Sequence, residues 1–149
     1  MQNPMKFELL PYFGAPPLKF GMSQMEVINI LGFPKVNFKT KGFQGAQLRY
    51  DHYTLAFEPG GALVHIGFSA RTTAEVRCLG VELFHDDRAF DILLAADGCP
   101  YVSLGFIYLL SLGLRLGGFH TEADEGKTVS MFGKGACDNL LAEFELWNN

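Results

Sequence analysis

The strongest constraint on the fold is a helix ending that occurs twice in the chain. Gly32-Phe33-Pro34-Lys35-Val36 and Gly98-Cys99-Pro100-Tyr101-Val102 share the pattern Gly-x-Pro-x-Val and lie 66 residues apart. A Gly just past a helix can take the left-handed conformation that ends it, and a nearby Pro prevents the helix from continuing. Each copy therefore predicts the end of a short helix, after which the chain continues as another type of structure.

The first helix is also marked at its start. Ser23 and Glu26 have the spacing of a capping box, in which each side chain accepts the other residue's unpaired backbone N–H. Val27, Ile30 and Leu31 fall on one helical face. The stretch MSQMEVINILGFP, residues 22–34, therefore predicts a helix of about two turns.

The pattern then changes from a helical period to a period of two, which is typical of strands. The strand candidates are Gln47 to Tyr50, Tyr53 to Phe57 and Val64 to Phe68, with a turn at Pro59-Gly60-Gly61. Arg71 to Arg77 is interpreted as a polar connector and Val81 to Phe84 as one more strand. The first helix is thus followed by an antiparallel meander.

The same order begins again in the second half. Asp86 or Asp87 can cap a helix that runs to Ala96. Alternation returns at Leu112 to Leu116 and at Val129 to Met131, with an acidic turn from Thr121 to Gly126 between them. The tail from Leu140 to Trp147 fits either a strand or a helical stripe.

The predicted fold class is therefore α+β, as one pseudo-symmetric domain of two related halves. Each half is a short helix followed by an antiparallel meander; the first spans about 18–70, the second about 79–137, and 138–149 form a C-terminal tail. At 149 residues, 48% of them hydrophobic, the chain has the size and apolar content of one globular domain.

Targeting signals and cysteine usage predict a cytoplasmic protein. The N-terminus lacks the basic start and apolar run of a secretory signal. The apolar stretch from Tyr101 to Phe119 holds Arg115 and several glycines, which argues against a membrane helix. The three cysteines, Cys78, Cys99 and Cys137, have no CxxC spacing and are expected to be reduced thiols.

Charge is distributed unevenly along the chain. Residues 1–50 carry a net charge of +4, whereas the rest carries −8. An acidic surface repels nucleic acid and favours a basic protein partner, although it can also serve only to keep a protein soluble. The candidate partner-binding residues are six carboxylates in two clusters: Asp86, Asp87 and Asp91 near the second helix, and Glu122, Asp124 and Glu125 in the acidic turn.

No familiar catalytic constellation is found in the sequence. Gly126-Lys127-Thr128 resembles the end of a phosphate-binding loop, but Thr121 stands where that motif requires Gly. His120, Glu122 and Asp124 alternate as cation ligands could, without a second cluster to complete the shell. The sequence therefore predicts a protein that is not an enzyme, with no cofactor, no metal site, and no nucleic-acid or membrane partner.

Two resemblances sharpen the functional prediction. Phe20-Gly21-Met22-Ser23 with Glu26-Val27 and Leu31-Gly32-x-Pro34 resembles the start of each repeat in proteins built like the beta-lactamase inhibitory protein. It is also similar to the start of the small outer-membrane assembly lipoprotein domain. The resemblance implies a helix followed by a meander whose sheet face grips another protein. The export signal, lipidated Cys and disulfides of those families have no counterpart here.

The second half resembles small bacterial immunity proteins, which neutralise a toxin by covering its active site. This resemblance is carried by Leu112-Gly113-Leu114-Arg115-Leu116 and by the stretch from Val129 through Gly133-Lys134-Gly135 to Asp138. It implies an immunity or inhibitor protein, and the acidic clusters would then meet a basic toxin domain.

Two other functions are weighed against this one. The first is a small-molecule-binding domain or small enzyme, with an aromatic pocket between helix and sheet lined by Tyr50, Tyr53 and Phe57 and served by His52 or His65. The second is a structural homo-oligomer, since some of the many aromatic residues could form an exposed patch.

Overall fold

A computed structural model describes residues 5–38, 45–119, 126–135 and 143–147. Two helices and twelve strands are found there. In chain order they are β1 (Lys6–Glu8), α1 (Gln24–Leu31), β2 (Val36–Phe38), β3 (Gln47–Arg49), β4 (Tyr53–Phe57), β5 (Leu63–Ser69), β6 (Glu75–Cys78), β7 (Val81–Glu82), α2 (Ala89–Asp97), β8 (Tyr101–Ser103), β9 (Phe106–Leu109), β10 (Leu114–Gly117), β11 (Thr128–Phe132) and β12 (Glu145–Leu146).

Most of these strands belong to one large sheet. Nine strands pair in the order β12-β8-β9-β10-β11-β5-β4-β3-β2, and every pairing within this large sheet is antiparallel. Strands β5 and β11 pair at its middle, with Gly67 opposite Ser130. The antiparallel α+β class predicted from the sequence is confirmed.

One face of the large sheet forms the core. Successive side chains of a strand point to opposite faces, and alternate apolar residues of the central strands lie on the core side. The buried residues of β4, β5, β10 and β11 on this side include Tyr53, Leu55, Ile66, Phe68, Leu114, Leu116, Val129 and Met131. We call the opposite face of the same sheet the open face.

A second, small sheet contributes to the core. Strand β1 pairs with β6 in parallel, and β6 pairs with β7 in antiparallel. The ring of Phe7 on β1 lies 5.2 Å from the ring of Tyr53 and 5.3 Å from that of Phe68, measured between centroids. Val76 and Val81 are buried in the same cluster, so the small sheet packs against the core side of the large one.

Helix α1 starts and ends at the predicted residues. The Ser23 side chain accepts the Glu26 N–H and the Glu26 side chain accepts the Ser23 N–H, which completes the capping box. Gly32 has a positive φ of 84° and donates its N–H to Ile28. Val27 is fully buried, but Ile30 is 41% exposed. The apolar face that packs against the core uses Ile28 where the sequence favoured Ile30.

Helix α2 departs from the prediction at its start. Arg88 precedes the first helical residue and its side chain makes no capping hydrogen bond. Neither Asp86 nor Asp87 caps the helix. The Asp86 carboxylate instead accepts the N–H of Arg88, in the turn that precedes the first helical residue. The end is as predicted: Gly98 takes the left-handed conformation and donates its N–H to Leu94.

The end of each helix is fastened to the large sheet. The Tyr50 hydroxyl, just after β3, donates to the Gly32 carbonyl at the end of α1 (2.9 Å). Asp97, the last residue of α2, accepts the N–H of Ser111 (2.9 Å) in the turn between β9 and β10, and also that of Cys99 (3.1 Å). In both cases the helix end is hydrogen-bonded to the connection between the second and third strands after that helix, which is β3–β4 for α1 and β9–β10 for α2.

Two regions were misjudged from the sequence. Arg71 to Arg77, interpreted as a connector, contains most of β6, whose partner Lys6–Glu8 was not recognised. The strand proposed for Val81 to Phe84 ends at Glu82, where the next residues form a turn. The acidic turn from Thr121 to Glu125 and residues 136–142 lie outside the described residues, whereas Glu145–Leu146 form a strand.

The apolar stretch from Tyr101 to Phe119 contains strands β8, β9 and β10 rather than a helix. Neither of the helices found in the described ranges combines the length and the apolar character needed to cross a bilayer.

Removal of the Asp97 carboxylate tests the fastening of α2. Asp97 is only 8% exposed and accepts two backbone N–H groups, which would lose their partner in Asp97→Ala. We expect Asp97→Ala to lower the free energy of unfolding by about 1 to 3 kcal/mol. Urea unfolding monitored by circular dichroism measures this change. Exposed Asp91 on the same helix is the control, and Asp91→Ala should cost less than about 1 kcal/mol. Equal losses in the two variants would contradict the structural role of Asp97.

Candidate functional site

A single row of residues crosses the open face at the middle of the large sheet. Residues that stand opposite each other on neighbouring antiparallel strands share a face. From β9 to β3, the strand register places in this row Tyr108, Arg115, Ser130, Gly67, Thr54 and Arg49. Their neighbours along the central strands are the buried core residues, so the row faces away from the core.

The middle of the row is low because its residues are small. Gly67 lies between Ser130 and Thr54, while larger side chains stand on either side. The result is an open depression of about 620 Å³. Its lining comprises Lys35, Arg49, Tyr50, His52, Thr54, His65, Gly67, Phe68, Ser69, Phe106, Arg115, Thr128 and Ser130.

Arg115 is held in place within this depression. Its guanidinium carbon lies 4.6 Å from the centre of the Phe106 ring, a cation–π geometry. One guanidinium nitrogen donates to the Ser130 hydroxyl at 3.3 Å. With one contact on the ring and another on the hydroxyl, the half-buried Arg115 side chain is oriented before any ligand arrives.

The position of the Phe106 ring depends on a glycine. A Cβ placed on Gly117 would lie 3.0 Å from the Phe106 ring and 2.5 Å from the Thr128 hydroxyl. A larger residue would therefore displace the Thr128 hydroxyl and crowd the Phe106 ring that contacts Arg115. Gly117 and Gly67 thus shape the floor from two sides.

His65 stands beside Arg115 as a neutral side chain. Burial, together with a smaller effect of the nearby Arg115 charge, lowers the pKa of His65 to about 4. The imidazole makes no hydrogen bond with any other residue in the described ranges. A Cβ on Gly67 would lie 3.2 Å from its Cε1, so the absence of a side chain at Gly67 gives the ring its space.

The depression is positively charged although the chain as a whole is not. The chain has a formal net charge of −4. Lys35, Arg49 and Arg115 line the depression, and none of its described lining residues is Asp or Glu. Asp51 lies at the nearby turn, where its carboxylate accepts hydrogen bonds from the Thr73 N–H and hydroxyl. These bonds lower the pKa of Asp51.

The aromatic pocket expected from the sequence is only partly present. Tyr53 and Phe57 are in the core, 5% and 0% exposed, because they lie on the core side of β4. Tyr50, His52 and His65 do line the depression. It is formed on the sheet face, not between helix and sheet, and polar side chains line it together with the rings of Tyr50, Phe68 and Phe106.

The acidic residues predicted to bind a partner are placed elsewhere. Asp86 pairs with Arg88 at 2.9 Å, and hydrogen bonds from Arg88 lower the pKa of Asp86. Asp87 and Asp91 are exposed. Asp86 and Asp87 line a second, shallow depression with Glu82, His85 and Arg88. Glu122, Asp124 and Glu125 lie outside the described residues, as do His120 and Cys137.

Sequence reasoning missed the row because its members are far apart along the chain. A partial signal existed: Arg115 interrupts the apolar alternation of Leu114 and Leu116. A charged residue at an alternate position of a buried strand marks the side that faces away from the core. The same argument applies to Arg49, which follows Leu48 in the sequence. It does not predict that the two arginines lie in the same row of the sheet.

No cluster of three or more His, Cys, Asp or Glu side chains suited to a metal ion occurs in the described part of the chain. Of the cysteines described, Cys78 is buried and Cys99 is exposed, and both are free thiols.

The neutral state of His65 makes the stability of the protein depend on pH. The pKa of His65 is about 4 in the folded state and about 6.5 when unfolded. Between these values the unfolded chain binds a proton that the folded chain does not, so stability falls as the pH drops from 6.5 to 4. We expect wild type to lose about 2 to 3 kcal/mol more than His65→Gln between pH 7 and 4.5. Urea unfolding at both pH values measures this, and parallel losses would show that His65 does not contribute.

Comparisons of the chain with protein-family models, with curated proteins and with solved structures find no match in any of the three.

Proposed function

We propose that this chain is a protein-binding module whose partner docks on the open face of the large sheet. The observation that carries the proposal is the depression across the central strands, which is lined by Gly67 and by the fixed side chain of Arg115. The Phe144 ring covers Tyr108 at one end of the row, whereas the row residues from Arg115 to Arg49 line the depression. An uncovered sheet face of this kind suits a protruding loop of another protein.

The order of elements supports a scaffold made of two related halves. Helix α1 is followed by β2 to β5 and helix α2 by β8 to β11, each set in meander order. The last strands of the sets, β5 and β11, pair at the middle of the sheet. The similar fastening of the two helix ends also fits this interpretation. The halves would be 18–70 and 79–137, and the docking face would span their junction.

An immunity or inhibitor role is the most specific form of this proposal. The chain would neutralise a bacterial toxin domain by covering its active surface. The resemblance of the second half to immunity proteins supports this role, and Arg115 and its neighbours belong to that half. Such a protein needs no catalytic group of its own, since the affinity comes from a few buried anchors.

Binding through the acidic surface near α2 is the competing arrangement. Asp87 and Asp91 are exposed there, and a basic toxin domain would complement them. Asp86, however, is already paired with Arg88, which weakens the field of this cluster. The open face offers a larger set of fixed side chains, so we favour it as the interface.

A small-molecule site is the competing function. The volume of about 620 Å³ falls in the usual range for such sites, about 300 to 1,000 Å³. Small-molecule sites enclose most of their ligand, whereas this depression is open to solvent. The open shape therefore favours a protein partner over an enclosed ligand.

The proposal is tested with the protein encoded by the reading frame next to the gene. Its toxin domain is produced in cells with and without this chain, and growth and complex formation are measured. Wild type should restore growth and co-purify with the toxin domain. Thr54→Trp, which places a bulky ring in the row, should lower the affinity at least tenfold by blocking the depression. Its melting temperature should stay within a few degrees of wild type.

Asp87→Arg is the matched variant on the acidic surface. It should bind as wild type does if the open face is the interface. If Asp87→Arg loses binding and Thr54→Trp keeps it, the interface lies near α2 and the proposed surface is wrong. If wild type neither restores growth nor forms the complex, the inhibitor role is wrong.

A further inference from the structure

We infer that the partner presents an acidic segment to the open face and seats one of its carboxylates against Arg115. This inference rests on the proposed function and adds the chemistry of the partner. It runs opposite to the expectation from net charge, which favoured a basic partner. The reason is that a partner meets the local surface at the docking site rather than the average charge of the chain.

The first support is charge complementarity. Lys35, Arg49 and Arg115 line the depression, and none of its described lining residues is Asp or Glu. Asp51 at the nearby turn partly offsets the charge of Lys35. A basic partner docked here would bring like charges together and pay a desolvation cost as well. An acidic segment removes both penalties.

The second support is the state of Arg115. A guanidinium has five N–H donors in a planar fork, and in the described structure one bond, to Ser130, uses them. No carboxylate of the described residues lies within ion-pair distance of Arg115. Partial burial of a cation is costly unless an anion accepts its hydrogen bonds. The planar fork fits the two oxygens of a carboxylate.

The third support is that Arg115 needs no rearrangement to bind. The Phe106 ring and the Ser130 hydroxyl already fix its direction, and binding is tighter when the ordering cost has been met in advance. His65 beside it is neutral, so it adds no competing positive charge and leaves the carboxylate to the guanidinium.

The row also indicates how the segment lies. Arg115 and Arg49 stand on strands separated by β11, β5 and β4, four strand spacings or about 19 Å between their backbones. An extended segment advances about 3.3 Å per residue. A segment that crosses the strands from β10 to β3 would therefore need about five or six residues, and it would pass over Gly67.

The experiment compares Arg115→Gln with Arg88→Gln, which removes the same charge from the acidic surface. Binding of the neighbouring gene's toxin domain is measured by surface plasmon resonance at several salt concentrations. Arg115→Gln should weaken binding roughly 10- to 100-fold and reduce its salt dependence. Arg88→Gln should change it less than about twofold. Arg115→Lys keeps the charge without the planar fork and should be intermediate. Melting temperatures identify any variant that fails to fold.

A second measurement does not require the natural partner. A hexaglutamate peptide is added to the isotopically labelled protein, and amide shifts are followed by NMR. Shifts should appear at Arg115, Ser130 and Gly67 in wild type and be lost in Arg115→Gln, while hexaglutamine should produce none. No shifts in the row at millimolar hexaglutamate would overturn the inference.

Inorganic phosphate is the third ligand tested in the same way. If phosphate binds as tightly as the peptide, the site is for a small anion and the inference is wrong.

The two proposals fail in different ways. If Thr54→Trp abolishes binding of the toxin domain and Arg115→Gln does not, the open face is the interface but its partner is not recognised by charge. If neither variant changes binding, the open face is not the interface, and the proposed surface fails together with this inference.

Discussion

The pairing of β5 with β11 is the contact on which the rest of the structure depends. Five residue pairs, from Thr128 opposite Ser69 to Phe132 opposite His65, join the strands that follow α1 to those that follow α2. A shift of one residue in this register would exchange the faces of one whole half. Leu114 and Leu116 would turn to solvent, and Arg115 would face the core. The apolar alternation on both strands therefore fixes the core and the open face together.

The same register explains how an acidic chain presents a cationic surface. Arg115 and Arg49 are far apart in sequence, and each lies among apolar or neutral neighbours on its strand. The pairing of five strands brings them into one row. The described carboxylates around α2, Asp86, Asp87 and Asp91, do not line the depression. Net charge thus describes how the protein behaves in solution, whereas strand register decides what a docked partner encounters.

The sequence predicted the parts of the fold that depend on local chemistry. The capping box at Ser23 and Glu26 and the helix ends at Gly32 and Gly98 are determined by residues a few positions apart, and all are present. Strand β6 was missed because its polar residues become a strand only through pairing with Lys6–Glu8. The hairpin of β8 and β9 was missed because Leu104, with a φ of 52°, occupies a turn position where Gly or Asn is usual.

The candidate site was beyond local reasoning for the same physical reason. The shape of the site depends on two positions without side chains. Gly67 leaves space for His65, and Gly117 leaves space for the Phe106 ring that orients Arg115. In the sequence these glycines resemble ordinary breaks in two strands. Only the cross-strand neighbours show that both positions are filled by side chains from elsewhere. A glycine inside a strand beside a lone charged residue is therefore worth examining as the floor of a binding surface, because no larger residue fits where another side chain already lies.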